Sequence, residues 1–80
     1  MKLPRDLSGE KLVNGLERVG YIWTRQKGDH VYMTRQRKGE HHVTIPLHHP
    51  VRVGTLAAIL ASVAAHLEME RQQLLEEMRL

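Results

Sequence analysis

The chain has 80 residues, 41% hydrophobic and 26% charged, with a formal net charge of +3 and no cysteine. This length predicts one small domain over residues 1–80, and the lack of cysteine excludes a disulfide framework, a thiolate metal site and a thiol nucleophile. The amino-terminal residues lack the apolar run of a signal peptide, and no apolar stretch is long enough to span a bilayer, so we expect a cytoplasmic protein.

The positive charge is concentrated in the first two thirds of the chain. Residues 1–54 hold ten Lys and Arg against five Asp and Glu, a net charge of +5, whereas residues 55–80 hold two against four, a net charge of −2. A basic region of this kind favours a polyanionic partner, and a solvated basic surface is the alternative interpretation.

A first helix is predicted over residues 8–19. Ser8 can cap it, and its apolar side recurs at helical spacing through Leu12, Val13, Leu16 and Val19. Gly15 destabilises a helix relative to alanine, which indicates a close approach by another element, and Gly20 ends the helix.

After Gly20 the pattern changes to the alternation typical of β-strands. Strands are predicted over residues 21–26, 30–34 and 41–45, with a tight turn around Gly28 and a polar loop at residues 36–40. Three strands joined by two short loops form an antiparallel meander.

Alternation along these strands also predicts which side chains face the core. Tyr21, Trp23 and Arg25 are expected on one face, with both aromatic rings in the core rather than stacking on bases. His30 and Tyr32 are expected on the face away from the helices, where a substrate can reach them.

A second helix is predicted to start at Gly54, with Thr55 as its cap, and to run to about residue 66. A turn near residues 67–70 leads to a last helix, and one long bent helix is the alternative. The apolar stripe of that last helix, Leu74, Leu75 and Met78, either closes the core or leaves surface for a partner or a second copy of the chain. The order α-β-β-β-α-α predicts an α+β fold with a three-stranded antiparallel sheet and helices on one face.

Four segments occur in an order and spacing typical of one protein family. They are KLPRDLSGEKL at residues 2–12, RQKGDH at residues 25–30, HVTIPLH at residues 42–48, and VGTL at residues 53–56 followed by Ile59 and Leu60. Together they resemble the HicA toxin family. The resemblance implies an α-β-β-β-α fold related to double-stranded-RNA-binding domains, here with an extra carboxy-terminal helix.

The same resemblance implies a function and a catalytic residue. HicA-like proteins are small ribonucleases that cut messenger RNA and arrest growth, and an antitoxin, HicB, binds and silences them. The histidine that follows the Lys-Gly turn is the family's catalytic residue, and His30 occupies that place. Asp29 stands where serine or glycine is most frequent, and Ala57 and Ala61 stand where the family usually carries arginines.

Histidine suits this chemistry because an ordinary imidazole titrates near pH 6.5. It can therefore take the proton of a ribose 2′-hydroxyl or donate one to the leaving oxygen, without a metal. Arg25 and Lys27 can stabilise charge that develops on the phosphate. Asp29 favours the protonated imidazole of His30 and so an acid role. The alternative interpretation of His30 is a polar residue at the start of an exposed strand.

The candidate RNA-binding residues surround both hairpin loops. They are Arg25, Lys27, Gly28, Arg35, Arg37, Lys38 and His48. The cations of the second loop are either phosphate contacts or solvated charges, and His48 is expected near the RNA site because it follows the last strand. The histidine pairs at 41–42 and 48–49 offer about one metal ligand each, so neither a metal nor another cofactor is predicted.

Two further function classes remain open on the sequence alone. A non-catalytic RNA-binding module would use the same basic face without cleaving RNA. A protein-interaction domain would instead pair one edge of its sheet with a partner chain.

Overall fold

The computed structural model describes residues 3–80, which form a three-stranded antiparallel sheet and three helices. The elements in chain order are α1 (Gly9–Arg18), β1 (Ile22–Lys27), β2 (His30–Arg35), β3 (His41–Pro46), α2 (Val53–Leu67) and α3 (Arg71–Met78). The strands lie in the order β1-β2-β3. The predicted α+β fold, with the element order of a double-stranded-RNA-binding domain, is confirmed. Met1 and Lys2, which belong to the predicted domain range, lie outside the described residues.

Helix α1 begins and packs as its sequence predicts. The backbone N–H of Lys11 donates to the Ser8 hydroxyl at 3.1 Å, which satisfies one of the free donors of the first turn. Gly15 faces α3 closely, because a Cβ built there would lie 3.1 Å from the Cβ of Met78. The predicted close approach at Gly15 is therefore confirmed.

The register of the sheet corrects one prediction about β1. Trp23 pairs with Met33, but the next partner of β2, Tyr32, pairs with Arg25, so the register shifts between Trp23 and Arg25. This bulge puts Arg25 on the opposite face from Trp23, where alternation had placed them together. The prediction that Trp23 is a core residue is also wrong, because its side chain is 43% exposed on an edge strand whose residues are all exposed. Tyr21 is 2% exposed, as predicted.

Helix α2 begins earlier than predicted, and Thr55 is not its cap. The residue that precedes the helix is Arg52, whose carbonyl accepts from the N–H of Leu56 at 2.9 Å and whose side chain makes no capping hydrogen bond. The first N–H groups of α2 therefore have no side-chain acceptor within the helix start. Thr55 lies in the first turn, and its side chain is available to the surface.

Helices α2 and α3 are two separate helices rather than one bent helix. Glu68 ends α2 in the left-handed conformation, with φ of 55°, and the two axes differ by 98°. No single helix within residues 3–80 is both long enough and apolar enough to cross a membrane; α2 and α3 pass such a test only when taken together across their bend. The stripe Leu74, Leu75 and Met78 is buried, so it closes the core.

Candidate functional site

His30 lies at the start of β2, directly after the turn that contains Gly28. It pairs with Lys27 in β1 and with Pro46 in β3. Its neighbour Val31 is fully buried under the helices, so alternation puts His30 on the opposite, open face of the sheet. The His30 side chain is 50% exposed. Gly28 makes this placement possible because the turn requires a positive φ, which is 59° here.

Two cations of β1 share that open face with His30. Lys27 lies opposite His30, and Arg25 lies opposite Tyr32, since paired residues of antiparallel strands point to the same side. The guanidinium carbon of Arg25 lies 4.7 Å from the centre of the Tyr32 ring, which is a cation–π contact. The β1 bulge therefore moves Arg25 onto the face of His30.

Asp29 connects His30 to a second histidine. Its Oδ1 lies 3.0 Å from Nδ1 of His30, and its Oδ2 lies 2.8 Å from Nε2 of His48. The hydrogen bond from His48 is the main cause that holds the pKa of the Asp29 carboxyl below its usual range, and the nearby imidazoles contribute to the same lowering. Asp29 is therefore a carboxylate at neutral pH. It accepts a hydrogen bond from Nε2 of His48 and lies at ion-pair distance from Nδ1 of His30.

Backbone hydrogen bonds fix the turn that carries Asp29 and the loop that carries His48. The N–H of Leu47 donates to the carbonyl of Asp29 at 2.6 Å, and the N–H of Gly9 donates to the carbonyl of His48 at 2.9 Å. Gly9 is required here, because a Cβ at this position would lie 2.8 Å from the Cα of Leu47 and would also collide with the carbonyl oxygen of Pro46. The start of α1 thus supports the loop that carries His48.

An open cleft of about 370 Å³ lies beside the two histidines. Its lining residues come from three segments: His30, Thr44, Pro46, His48, Arg52 and Thr55. No hydrogen bond or ion pair among residues 3–80 engages the guanidinium of Arg52. The free N–H groups of the first turn of α2 lie at the same place, and Gly54 leaves open space around them. The cleft offers imidazole, guanidinium, hydroxyl and backbone donors to one anionic group.

The comparison with protein families decides the identity of the chain. Residues 9–64 match the family described as the HicA toxin of bacterial toxin–antitoxin systems. The chain belongs to the HicA toxin family. Membership makes it a toxin-family protein with an antitoxin as its partner. No curated protein and no solved structure matches the chain significantly.

The residues singled out from the sequence of this HicA-family chain fall into two groups in space. Arg25, Lys27, Gly28, His30 and His48 lie together at the cleft end of the sheet. Arg35, Arg37 and Lys38 lie at the opposite end of β2. That end is about 17 Å from His30, because each of the five residue steps from His30 to Arg35 extends the strand by about 3.3 Å.

The second group makes contacts inside the fold. The Nε of Arg35 donates to the carbonyl of Val19 at 2.9 Å, and one of its terminal nitrogens lies 3.3 Å from the carbonyl of Arg37. Lys38 forms an ion pair with Glu68 at 2.8 Å. The structure therefore does not bring Arg35, Arg37 and Lys38 to the histidine cleft of this HicA-family protein.

Sequence reasoning missed two features of the HicA-family cleft. The sequence shows Arg52 only as part of the basic charge, and the structure places it directly before α2 and beside His48 in the cleft. The link between Asp29 and His48 follows from pairing His30 with Pro46, since residue 48 then lies beside the turn at residue 29. Within residues 3–80, no three His, Cys, Asp or Glu side chains are arranged to hold a metal ion.

Proposed function

We propose that this protein is a metal-independent endoribonuclease that cuts messenger RNA with His30 as a catalytic residue. Family membership supports the toxin role. The observation that carries the proposal is the position of His30, half exposed and lining a cleft with an unpaired guanidinium. We further propose that a HicB-type antitoxin neutralises it, and that it acts in the cytoplasm, where messenger RNA is translated.

The cleft offers what phosphodiester cleavage requires. An imidazole can transfer a proton at the ribose 2′-oxygen or at the leaving oxygen. Arg52, the N–H groups at the start of α2, and the cations Arg25 and Lys27 can stabilise the charge that builds up on the phosphate. Tyr32 extends the open face beyond His30 with a ring that is already packed against a guanidinium.

RNA binding is expected to rest on charge more than on sequence. The affinity of the protein for RNA should fall steeply as salt rises, because bound phosphates release counterions. Arg35, Arg37 and Lys38 remain predicted RNA contacts. Their distance from the cleft means that they would bind a part of the RNA away from the scissile bond.

The test is cleavage of a fluorescent RNA in EDTA by the protein and by His30→Ala. General acid–base groups contribute about 10²- to 10⁴-fold to the rate, so the variant should cleave RNA at least about 10²-fold more slowly. It should also no longer arrest growth. The control is His49→Ala, since His49 is 64% exposed and does not line the cleft. Both variants should keep the circular dichroism spectrum of the unchanged protein.

Three results would contradict the proposal. Undiminished cleavage by His30→Ala would remove His30 from the chemistry. RNA binding without cleavage by the unchanged protein would favour the non-catalytic RNA-binding module. Absence of RNA binding would favour a domain that uses its sheet edge to bind protein.

Co-expression with the antitoxin should suppress growth arrest and yield a stable complex.

A further inference from the structure

The carboxylate of Asp29 contacts two imidazoles, and both imidazoles line the cleft. We propose that His48 is the second catalytic residue of RNA cleavage, that His30 and His48 act as an acid–base pair, and that Asp29 is their positioning residue. This inference rests on the proposed function, because it assigns a partner to His30 in the same reaction.

The first argument concerns the protons on the two rings. A carboxylate only accepts hydrogen bonds, so Nε2 of His48, which bonds to Asp29 at 2.8 Å, carries a hydrogen. Nδ1 of His48 is then the nitrogen that exchanges protons. Nδ1 of His30 lies 3.0 Å from the other oxygen of Asp29, which orients that ring against the same carboxylate. A carboxylate that fixes the tautomer and orientation of an imidazole is the arrangement that serves histidine catalysis elsewhere.

The second argument concerns how firmly the two histidines are held relative to each other. They contact the two oxygens of one side chain, so that carboxylate constrains their separation. The backbone bond from Leu47 N–H to the Asp29 carbonyl, at 2.6 Å, joins the two loops. The bond from Gly9 N–H to the His48 carbonyl, at 2.9 Å, fixes the His48 loop to the start of α1. Such fixed placement of reacting groups contributes to rate because orientation is achieved before the reaction begins.

The third argument concerns charge. The charged and titratable groups around the pair are Asp29 in the turn, Lys27 in β1 and Arg52 before α2. The charge of one carboxylate matches that of one imidazolium. An acid–base pair with one proton to donate therefore has its counter-charge in Asp29.

The reaction balances with these groups alone. The neutral imidazole takes the proton of the 2′-hydroxyl, and the 2′-oxygen forms a bond to phosphorus as the bond from phosphorus to the 5′-oxygen breaks. The protonated imidazole gives its proton to that 5′-oxygen. The products are a 2′,3′-cyclic phosphate and a free 5′-hydroxyl, and neither an oxidant nor a metal takes part. Arg52 and Thr55 lie where they can bind the non-bridging oxygens.

His48→Gln is the most informative variant. The amide nitrogen of glutamine can donate to Asp29 in place of Nε2, so the loop keeps its anchor while proton transfer is lost. We expect cleavage of a dinucleotide RNA to fall about 10²- to 10⁴-fold, with a much smaller loss in binding of an uncleavable RNA that lacks the 2′-hydroxyl. His49→Gln, on the same loop but outside the cleft, should cleave at the unchanged rate.

A substrate with sulfur in place of the bridging 5′-oxygen separates acid from base. Its thiolate leaves without protonation, so it restores a variant that lacks the acid and does not restore one that lacks the base. We expect the substrate to restore one of His30→Ala and His48→Gln and not the other. The unchanged enzyme should have a bell-shaped pH profile, and each variant should lose one limb of it. Asp29 is ionised across that range, because its pKa is lowered.

Asp29 has its own test as a positioning residue. Asp29→Asn presents a donor to one of the two rings and so disfavours the required tautomer, which should lower kcat while KM stays unchanged. Asp29→Glu keeps both acceptors and should recover part of the lost rate.

The possible results separate this inference from the proposed function. Full cleavage by His48→Gln together with an inactive His30→Ala overturns the inference and leaves the proposed function standing. A slow His48→Gln that keeps both limbs of the pH profile, with neither variant restored by the sulfur substrate, also overturns it, because His48 then only binds or positions. An active His30→Ala overturns the proposed function itself. Loss of one limb with selective restoration supports the acid–base pair.

Discussion

At the cleft end of the sheet, His30 and His48 share the exposed carboxylate of Asp29, whereas at the other end His41 packs between Tyr21 and His66. The rings of His41 and His66 stack with centres 4.5 Å apart and planes 12° apart. The hydroxyl of Tyr21 lies 2.5 Å from Nδ1 of His41, and the hydroxyl of Ser62 lies 2.9 Å from its Nε2. The two clusters contain the same residue type in opposite surroundings.

Those surroundings give the clusters different roles. Burial is the main cause that lowers the pKa of His41, and the neighbouring His66 and His42 lower it further, so a proton is disfavoured there. Burial also raises the pKa of Tyr21, which keeps its hydroxyl neutral as a hydrogen-bonding group. His41 therefore stabilises the join between sheet and α2. The cleft histidines, beside a carboxylate and open to solvent, remain able to exchange protons.

Gly9→Ala should have the largest effect on the cleft end of the sheet, where it should lower both stability and cleavage. The added Cβ collides with the backbone of Pro46 and Leu47, so the loop that carries His48 must move. Overpacking of this kind costs about 1–3 kcal/mol of the free energy of unfolding, and cleavage should fall with it. Urea unfolding measures the first effect and single-turnover cleavage the second.

Gly54→Ala is the matched control for that variant, because a Cβ at Gly54 meets open space. Its stability should stay unchanged or rise slightly, since alanine favours a helix over glycine. If Gly9→Ala unfolds at the same urea concentration as Gly54→Ala, the close contact at Gly9 does not constrain the loop.

His41→Ala should separate stability from activity at the far end. It leaves the Tyr21 hydroxyl without its partner in a side chain that is 2% exposed, which costs about 1–3 kcal/mol. The rate of RNA cleavage by the folded protein should not change, because the cleft lies at the other end of β2. Urea unfolding and cleavage assays on the same preparation measure both.

Adding Tyr21→Phe to that variant removes the orphaned hydroxyl and should recover part of the lost stability. A double variant that is less stable than His41→Ala by the full cost of Tyr21→Phe alone would show that the two side chains are not coupled.

The smallest expected effect is the dependence of stability on pH at the far cluster. The folded-state pKa of His41 lies below its ordinary value of 6.5, so the unfolded chain binds a proton more readily. The stability that this site contributes is present above pH 6.5 and is lost as pH falls from there through the folded-state pKa. Urea unfolding between pH 5 and pH 8 should show a smaller pH dependence for His41→Ala than for the unchanged protein.

The same sign applies to Asp29 in a more acidic range. Its pKa is lowered from 3.8, so its contribution is present above that pH and is lost as pH falls through the folded-state pKa.

An equal pH dependence of unfolding in the unchanged protein and in His41→Ala would show that the far cluster titrates as it does in the unfolded chain.

Much of the fold could be predicted because its signals are local. Ser8, Gly20 and Gly28 mark a helix start, a helix end and a turn within a few residues of the structure's own boundaries. The error at Trp23 arose because distant segments decide the outcome: the helices leave the edge strand β1 uncovered. The error at Thr55 is local, since α2 begins at Val53 and Thr55 lies inside its first turn.

The sequence by itself determined the order of elements, the family and the position of His30 on the open face, because periodicity and short motifs act over a few residues. Only the tertiary structure decided that Asp29 joins His30 to His48, that Arg52 lines their cleft, and that His41 is paired internally. These outcomes depend on strand register and on the path of the loop after β3. Such long-range contacts are set by the packing of the whole chain, and no local pattern encodes them.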